Sequence, residues 1–153
     1  VSLQPDIELQ TAATNVSGLH TDGLMPPITI LSNTGRHIAV ISSIAGTKVG
    51  SAPAYSATKR FQNTYIDALD QLAHMKKLNI SFTDIRPGFV ATPLLKDDKY
   101  PLLMHTSQVA SQIVKAISRR KRVAIIDWRY QLIVFFWKLI PGWLWVRLPV
   151  RNQ

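Results

Sequence analysis

Polar and apolar positions along the chain follow two rhythms. His37 to Ile41 (His-Ile-Ala-Val-Ile) and Ile80 to Ile85 are short, mostly apolar runs bounded by glycine, serine or proline, and they read as buried strands. Val123 to Ile126 reads as a third. From Ala54 to about Leu78, Phe61, Tyr65, Leu69 and Leu72 recur at three- and four-residue steps. That spacing predicts a long helix with those side chains as its buried stripe, and with Ile66 and Met75 outward. Gln108 to Ser118 predicts a shorter amphipathic helix with Val109, Ile113, Val114 and Ile117 inward. Asp6 to about His20 predicts a further helix, carrying Ile7, Leu9, Val16 and Leu19. Residues 21–35 contain Gly23, Pro26, Pro27, Asn33 and Gly35, and read as a helix end followed by a loop. The order strand, helix, strand, helix, strand argues for an α/β fold on a parallel sheet.

Composition narrows the picture without changing it. With 153 residues, 46% apolar and 18% charged, the chain suffices for one packed domain, or a large piece of one, and is too apolar for a disordered chain. It has no cysteine, which excludes disulfides, thiolate catalysis and cysteine metal sites. His20, His37, His74 and His105 never pair at metal-ligand spacing, so no metal is expected. The N-terminus shows neither a basic n-region nor an apolar h-region, and a cytoplasmic location is expected.

Charge does change the picture. Residues 1–114 hold nine Lys/Arg and eight Asp/Glu, whereas residues 115–153 hold nine Lys/Arg and one acid, Asp127. All four tryptophans, Trp128, Trp137, Trp143 and Trp145, lie in that second stretch. Such a basic, aromatic tail suits an anionic membrane surface or nucleic acid. The apolar run from Tyr130 to Val146 is too short to span a bilayer, and Lys138 and Pro141-Gly142 interrupt it. An in-plane association of residues 128–153 with an anionic membrane surface fits it best, against packing over the protein body or a short hairpin insertion. Arg119-Arg120-Lys121-Arg122 reads as a solvated turn, and with no nucleic-acid motif around it no nucleic-acid partner is expected.

Tyr55 and Lys59 sit four residues apart near the start of the long helix, which stacks both side chains on one face. A phenol is a weak acid at neutral pH, and a neighbouring ammonium favours its ionised form. Such a pair can pass a proton to or from a nearby oxygen. The bare spacing is common, and on its own reads as a half-buried tyrosine beside a solvated lysine. Ser42-Ser43 gives it context: the serines end a buried strand, where α/β folds place ligands.

The segments Ile-Ser-Ser-Ile-Ala-Gly, Ala-Tyr-Ser-Ala-Thr-Lys and Arg-Pro-Gly-Phe-Val-Ala-Thr-Pro, with Thr14-Asn15-Val16 upstream, agree in sequence, order and spacing with the short-chain dehydrogenase/reductase family, which the chain resembles from about residue 5 to 127. The resemblance implies a Rossmann-like three-layer fold around a parallel sheet, and an NAD(P)-dependent oxidoreductase that interconverts a carbonyl and a secondary alcohol. Tyr55 would be the acid/base. Lys59 would favour its ionised form and bind the nicotinamide ribose. Ser43 would hold the substrate oxygen, and Asn15 the water linking Lys59 to solvent. Pro87, Gly88 and Thr92 match the segment that contacts the nicotinamide end of the cofactor. The residues agree on Pro-Gly, which lets a backbone turn closely past a ligand, or simply ends a strand. The family commonly pairs its subunits through the helices bearing Asn15 and the Tyr/Lys motif, so a homo-oligomer is expected.

The sequence departs from the family in two ways. The family usually sets its serine thirteen positions before its tyrosine. Ser42 has that spacing, while Ser43 has twelve and the better local pattern. The glycine-rich strand–turn–helix that holds the pyrophosphate, and the Asn-Ala-Gly beyond it, are absent. Residues 1–127 therefore read as a dinucleotide-binding domain truncated at its N-terminus, and 128–153 as its tail. The aromatic tail favours a lipophilic substrate. The rival expectation is a non-catalytic, membrane- or partner-binding remnant of such an enzyme.

Overall fold

The computed structural model describes residues 10, 13, 28–32, 35–48, 50, 52–92 and 100–148. Asn15 and the helix expected around it lie outside the described residues. Four strands form one sheet in the order β1 (Ile28–Ser32), β2 (Gly35–Ile41), β3 (Ile80–Arg86) and β4 (Val123–Ile125). β2, β3 and β4 run parallel, as the pattern predicts. β1 corrects it: Ile28 to Ser32 is a strand, not a loop, and pairs antiparallel with β2 from Ile28 opposite Ala39 to Ser32 opposite Gly35. The Ile-Thr-Ile-Leu run suits the pleated edge, and the breakers on either side hide it in the sequence.

Helices cover both faces of the sheet. Ile38, Val40, Ile80 and Phe82 cluster with Ile66, Leu69 and Ala73 of helix α1 (Pro53–Met75). Successive strand residues point to opposite faces. Ala39 and Ile85 accordingly join Val109 and Ala116 of α2 (Thr106–Ser118) and Tyr130 and Val134 of α3 (Trp128–Leu139). A four-residue helix, α4 (Gly142–Trp145), follows Pro141. No helix among the described residues is long and apolar enough to cross a membrane.

The buried face of α1 differs from the expected stripe. Phe61 and Leu72 are exposed, while Ile66 is only 1% exposed; Met75 faces outward as expected. The inward positions are Ser56, Thr58, Lys59, Gln62, Asn63, Ile66 and Ala73, so the first half of the helix buries polar side chains against the strand ends. An apolar periodicity cannot find a polar buried face. In α2, Val114 is likewise exposed and Ala116 takes its place inside. α1 and α2 both end on a left-handed residue, Lys77 (φ 52°) and Arg120 (φ 48°), whose successors close the last turns onto Ala73 O and Ala116 O. Arg122 is not merely solvated. It pairs with Asp67 and Asp70 of α1, both at 2.6 Å, and ties the entry of β4 to that helix.

Candidate active site

β2 ends at Ile41, and the chain turns at once into a 3-10 turn, Ile44–Gly46, that packs on the first turns of α1. Gly46 is required there: a Cβ would lie 2.9 Å from the backbone carbonyl of Lys59 and 2.5 Å from the Asn63 amide. Ser43 caps the turn by accepting from Ala45 N–H at 3.1 Å, and donates to Pro87 O at 3.4 Å. Ile44 N–H donates to the same carbonyl at 3.1 Å. The ends of β2 and β3 are thus laced together at Ser43 and Pro87.

The two adjacent serines have different surroundings. Ser42 is 2% exposed, and its Oγ donates to the carboxylate of Asp84, a side chain with no exposure at all. Asn63, turned so that its nitrogen faces oxygen acceptors, donates to Ser42 Oγ at 2.9 Å and to Asp84 Oδ2 at 3.2 Å. Arg86 closes the network on Asp84 through Nη2 at 2.6 Å and Nε at 2.8 Å. The Ser42 hydroxyl is consumed behind the sheet end, whereas Ser43 is held at its mouth.

Tyr55 lies in the first turn of α1, half-buried, with Lys59 Nζ 5.6 Å from its ring centroid. Lys59 is 8% exposed. Its ammonium donates to Gln62 Oε1 at 3.1 Å and reaches Ile41 O at 3.5 Å. Burial pulls the Lys59 pKa below its ordinary value, and the nearby Asp84 carboxylate opposes that shift. The pair therefore sits beside the strand end that carries Ser43, with a buried carboxylate behind it.

Sequence reasoning missed Asp84, Asn63 and Gln62. Their signals were there. Asp84 and Arg86 stand two apart in an otherwise buried strand, hence on one face, and Gln62 and Asn63 follow Lys59 at three and four residues.

The segment after β3 has a second use. A Cβ on Gly88 would meet the ring of Tyr130, so this glycine admits an aromatic side chain of the same protein. Tyr130 Oη accepts from Phe89 N–H at 3.1 Å and donates toward the carbonyls of Pro101 and Leu102, at 3.2 and 3.1 Å. Thr92 is half-buried, just past the bridge of Val90 to Met104. The structure therefore brings Ser43, Tyr55, Lys59 and Pro87 to one end of the sheet, while Asn15 is outside the described residues. An open depression of about 800 Å³ between α2 and the start of α3 is lined by Ser107, Gln108, Ser111, Gln112, Asp127, Trp128 and Arg129, none of them a predicted site residue. No group of three or more metal-ligating side chains occurs among the described residues.

No family model matches the chain. It is similar to an uncharacterised oxidoreductase of Myxococcus xanthus, 28% identical over 109 residues, covering 69% of this chain and 42% of the relative. It is also similar to dehydrogenase/reductase SDR family member 7B of Mus musculus, 28% identical over 137 residues, covering 80% of this chain and 41% of the relative. A Mycobacterium tuberculosis oxidoreductase is 27% identical over 148 residues, covering 90% and 58%. The chain thus spans about half the length of these relatives. Two solved structures share its fold at a TM-score of 0.54. One is a short-chain dehydrogenase from Novosphingobium aromaticivorans (15% identical; 79% of this chain and 40% of that one). The other is a short-chain dehydrogenase/reductase from Burkholderia phymatum in complex with NAD (16% identical; 66% and 46%). Sequence relatives that are oxidoreductases, and a fold shared with short-chain dehydrogenases, agree with the order of motifs along the chain, which is similar to the short-chain dehydrogenase/reductase family.

Proposed function

We propose that this chain provides the proton-relay portion of an NAD(P)-dependent oxidoreductase that interconverts a carbonyl and a secondary alcohol. The observation that carries the reading is the buried Lys59 ammonium over the Tyr55 ring, next to the Ser43 turn. Tyr55 Oη gives a proton to the substrate oxygen in reduction and takes one in oxidation. Lys59 places a positive charge beside the phenol, and Ser43 Oγ orients the substrate oxygen. The proposed proton path also includes Asn15, as the residue that holds the water linking Lys59 to solvent. A nicotinamide cofactor, when bound, supplies or accepts the hydride.

The residues fit such a cofactor. An ammonium has three N–H groups, and among the described residues Lys59 has partners at Gln62 and Ile41, which leaves a donor for a ribose hydroxyl. Pro87, Gly88 and Thr92 would line the nicotinamide end, Gly88 through its backbone, since its open side faces Tyr130. The neighbour solved with NAD supports the nicotinamide class, and the preference between NAD and NADP stays open. The reading includes a lipophilic substrate, a homo-oligomer paired through the exposed Phe61, Leu72 and Met75 side of α1, and peripheral association of residues 128–153 with an anionic membrane surface.

In the full-length protein, Tyr55→Phe should lower turnover at least ~100-fold with cofactor affinity nearly unchanged, and Lys59→Met should impair both. Near-wild-type turnover of Tyr55→Phe on a good substrate overturns the reading. Cofactor binding by neither form favours the non-catalytic alternative.

A further inference from the structure

Helix α3 is apolar on two opposite sides. Tyr130, Ile133, Val134 and Trp137 pack into the core. On the other side Trp128, Leu132, Phe135, Phe136 and Leu139 follow one another in a single stripe along the helix, each at least half exposed. Trp143 of α4 and Val146 just after it are exposed as well, at 63% and 80%. Of the 17 large apolar side chains exposed among the described residues, nine lie between Trp128 and Leu148, so the exposure is concentrated rather than scattered.

The same stretch has a one-sided charge. Residues 128–153 contain Arg129, Lys138, Arg147 and Arg151 and no acid. Arg129 is engaged by Asp127 at 2.8 Å, which leaves Lys138 and Arg147 as exposed cations beside the aromatic patch. Arg147 stacks at 5.6 Å over the Trp143 ring. The segment is also held to the body. Lys48, in the loop between Ser43 and Tyr55, donates to Ile140 O at 2.9 Å and lies 5.6 Å over the Trp145 ring, while Trp145 packs edge-on against Trp137. The outward face is therefore presented by a seated helix rather than by a loose tail.

We propose that the outward face of α3, continued by α4, docks in the plane of an anionic phospholipid surface. This deepens the membrane-surface reading above, on which it rests, and it is independent of the redox reading. Twelve residues of helix reach about 18 Å, short of the ~30 Å hydrocarbon core, so the helix lies along the interface. A second copy of the chain fits less well. A two-fold contact over this face would bring Lys138 and Arg147 of both copies together with no acid in the segment to offset them. An anionic lipid surface supplies the missing charge, and its interfacial zone accommodates Trp and Phe.

The test is flotation of the full-length protein with phosphatidylcholine vesicles, with and without phosphatidylserine. Three forms are compared: wild type, Phe135→Ser/Phe136→Ser, and Lys138→Gln/Arg147→Gln. All four positions are exposed and outside the proton-relay site, so folding should survive, and circular dichroism checks that it does. Wild type should float with phosphatidylserine vesicles and show a blue shift of Trp fluorescence. The double Ser variant should bind at least ~10-fold more weakly at any salt concentration, because its loss is apolar. The double Gln variant should lose about 5-fold per charge at low salt and little at high salt. Three results overturn the proposal. One is no flotation of wild type at low salt. Another is full binding by the double Ser variant. The third is a wild-type dimer that these substitutions dissociate, which would give the face to a second copy. Tyr55→Phe should float like wild type, so failure of the redox reading and failure of docking are separately visible.

Discussion

Gly88→Ala isolates a contact that the sequence assigns to a ligand and the structure assigns to a side chain. An added Cβ would lie 2.5 Å from Tyr130 Cε2 and closer still to Cζ and Cε1. Carbon atoms prefer about 3.5–4.0 Å, so the ring must retreat by about 1 Å or more. It has little room, because Tyr130 is 3% exposed within the α2/α3 side of the core. Retreat also pulls its hydroxyl off Phe89 N–H and away from the carbonyls of Pro101 and Leu102. Overpacking costs about 1–3 kcal/mol and a weakened hydrogen bond about 1 kcal/mol, while loss of glycine's freedom in the unfolded chain returns about 0.4–1 kcal/mol. The net expectation is a loss of about 1–3.5 kcal/mol. For a chain of this size that is a Tm lower by about 2–14 °C. Urea unfolding followed by circular dichroism measures it. The same substitution in a Tyr130→Ala background should cost under about 0.5 kcal/mol, because the ring is gone. A neutral Gly88→Ala, or an equal cost in both backgrounds, refutes the reasoning.

Other predictions concern neighbouring groups. Ser42→Ala should lower stability by about 1–3 kcal/mol, since it strips a donor from a buried carboxylate, whereas Ser43→Ala should lower turnover of the full-length enzyme more than stability; the reverse pattern in unfolding and rate assays would exchange their roles. Gly46→Ala should push the 3-10 turn off Lys59 and lose both stability and turnover, checked by urea unfolding and steady-state rates. Burial, aided by the Arg120 charge, holds the His37 pKa below its ordinary 6.5. The unfolded chain then binds more protons, so stability should fall as pH drops through the window from 6.5 toward the folded-state value; urea midpoints across that window should flatten in His37→Gln, and an unchanged slope rejects the idea. Asp127 accepts from Arg129 N–H at 2.9 Å to cap α3, so Asp127→Ala should cost about 1 kcal/mol in unfolding assays and Asp127→Asn much less.

The sequence by itself determined the elements whose signal is local. The apolar runs of β2, β3 and β4 and the long helix after Pro53 were legible because strand burial and helix length are written in neighbouring residues. The pairing of Tyr55 with Lys59 was legible for the same reason, since a four-residue step along a helix needs no tertiary information. Tertiary structure decided what depends on distant partners. β1 is a strand because β2 offers it an edge, which the prolines and glycines around Ile28–Ser32 concealed. Ile66 is inside and Phe61 outside because the buried face of α1 is chosen by the polar network at the strand ends. Ser42 and Ser43 are chemically identical neighbours. Only the fold separates them, by setting the fully buried Asp84, 42 residues away, against the first and the carbonyl of Pro87 against the second. Gly88 faces Tyr130 for a similar reason: the return of α3 over the sheet is a packing result, and no local spacing encodes which ring arrives there.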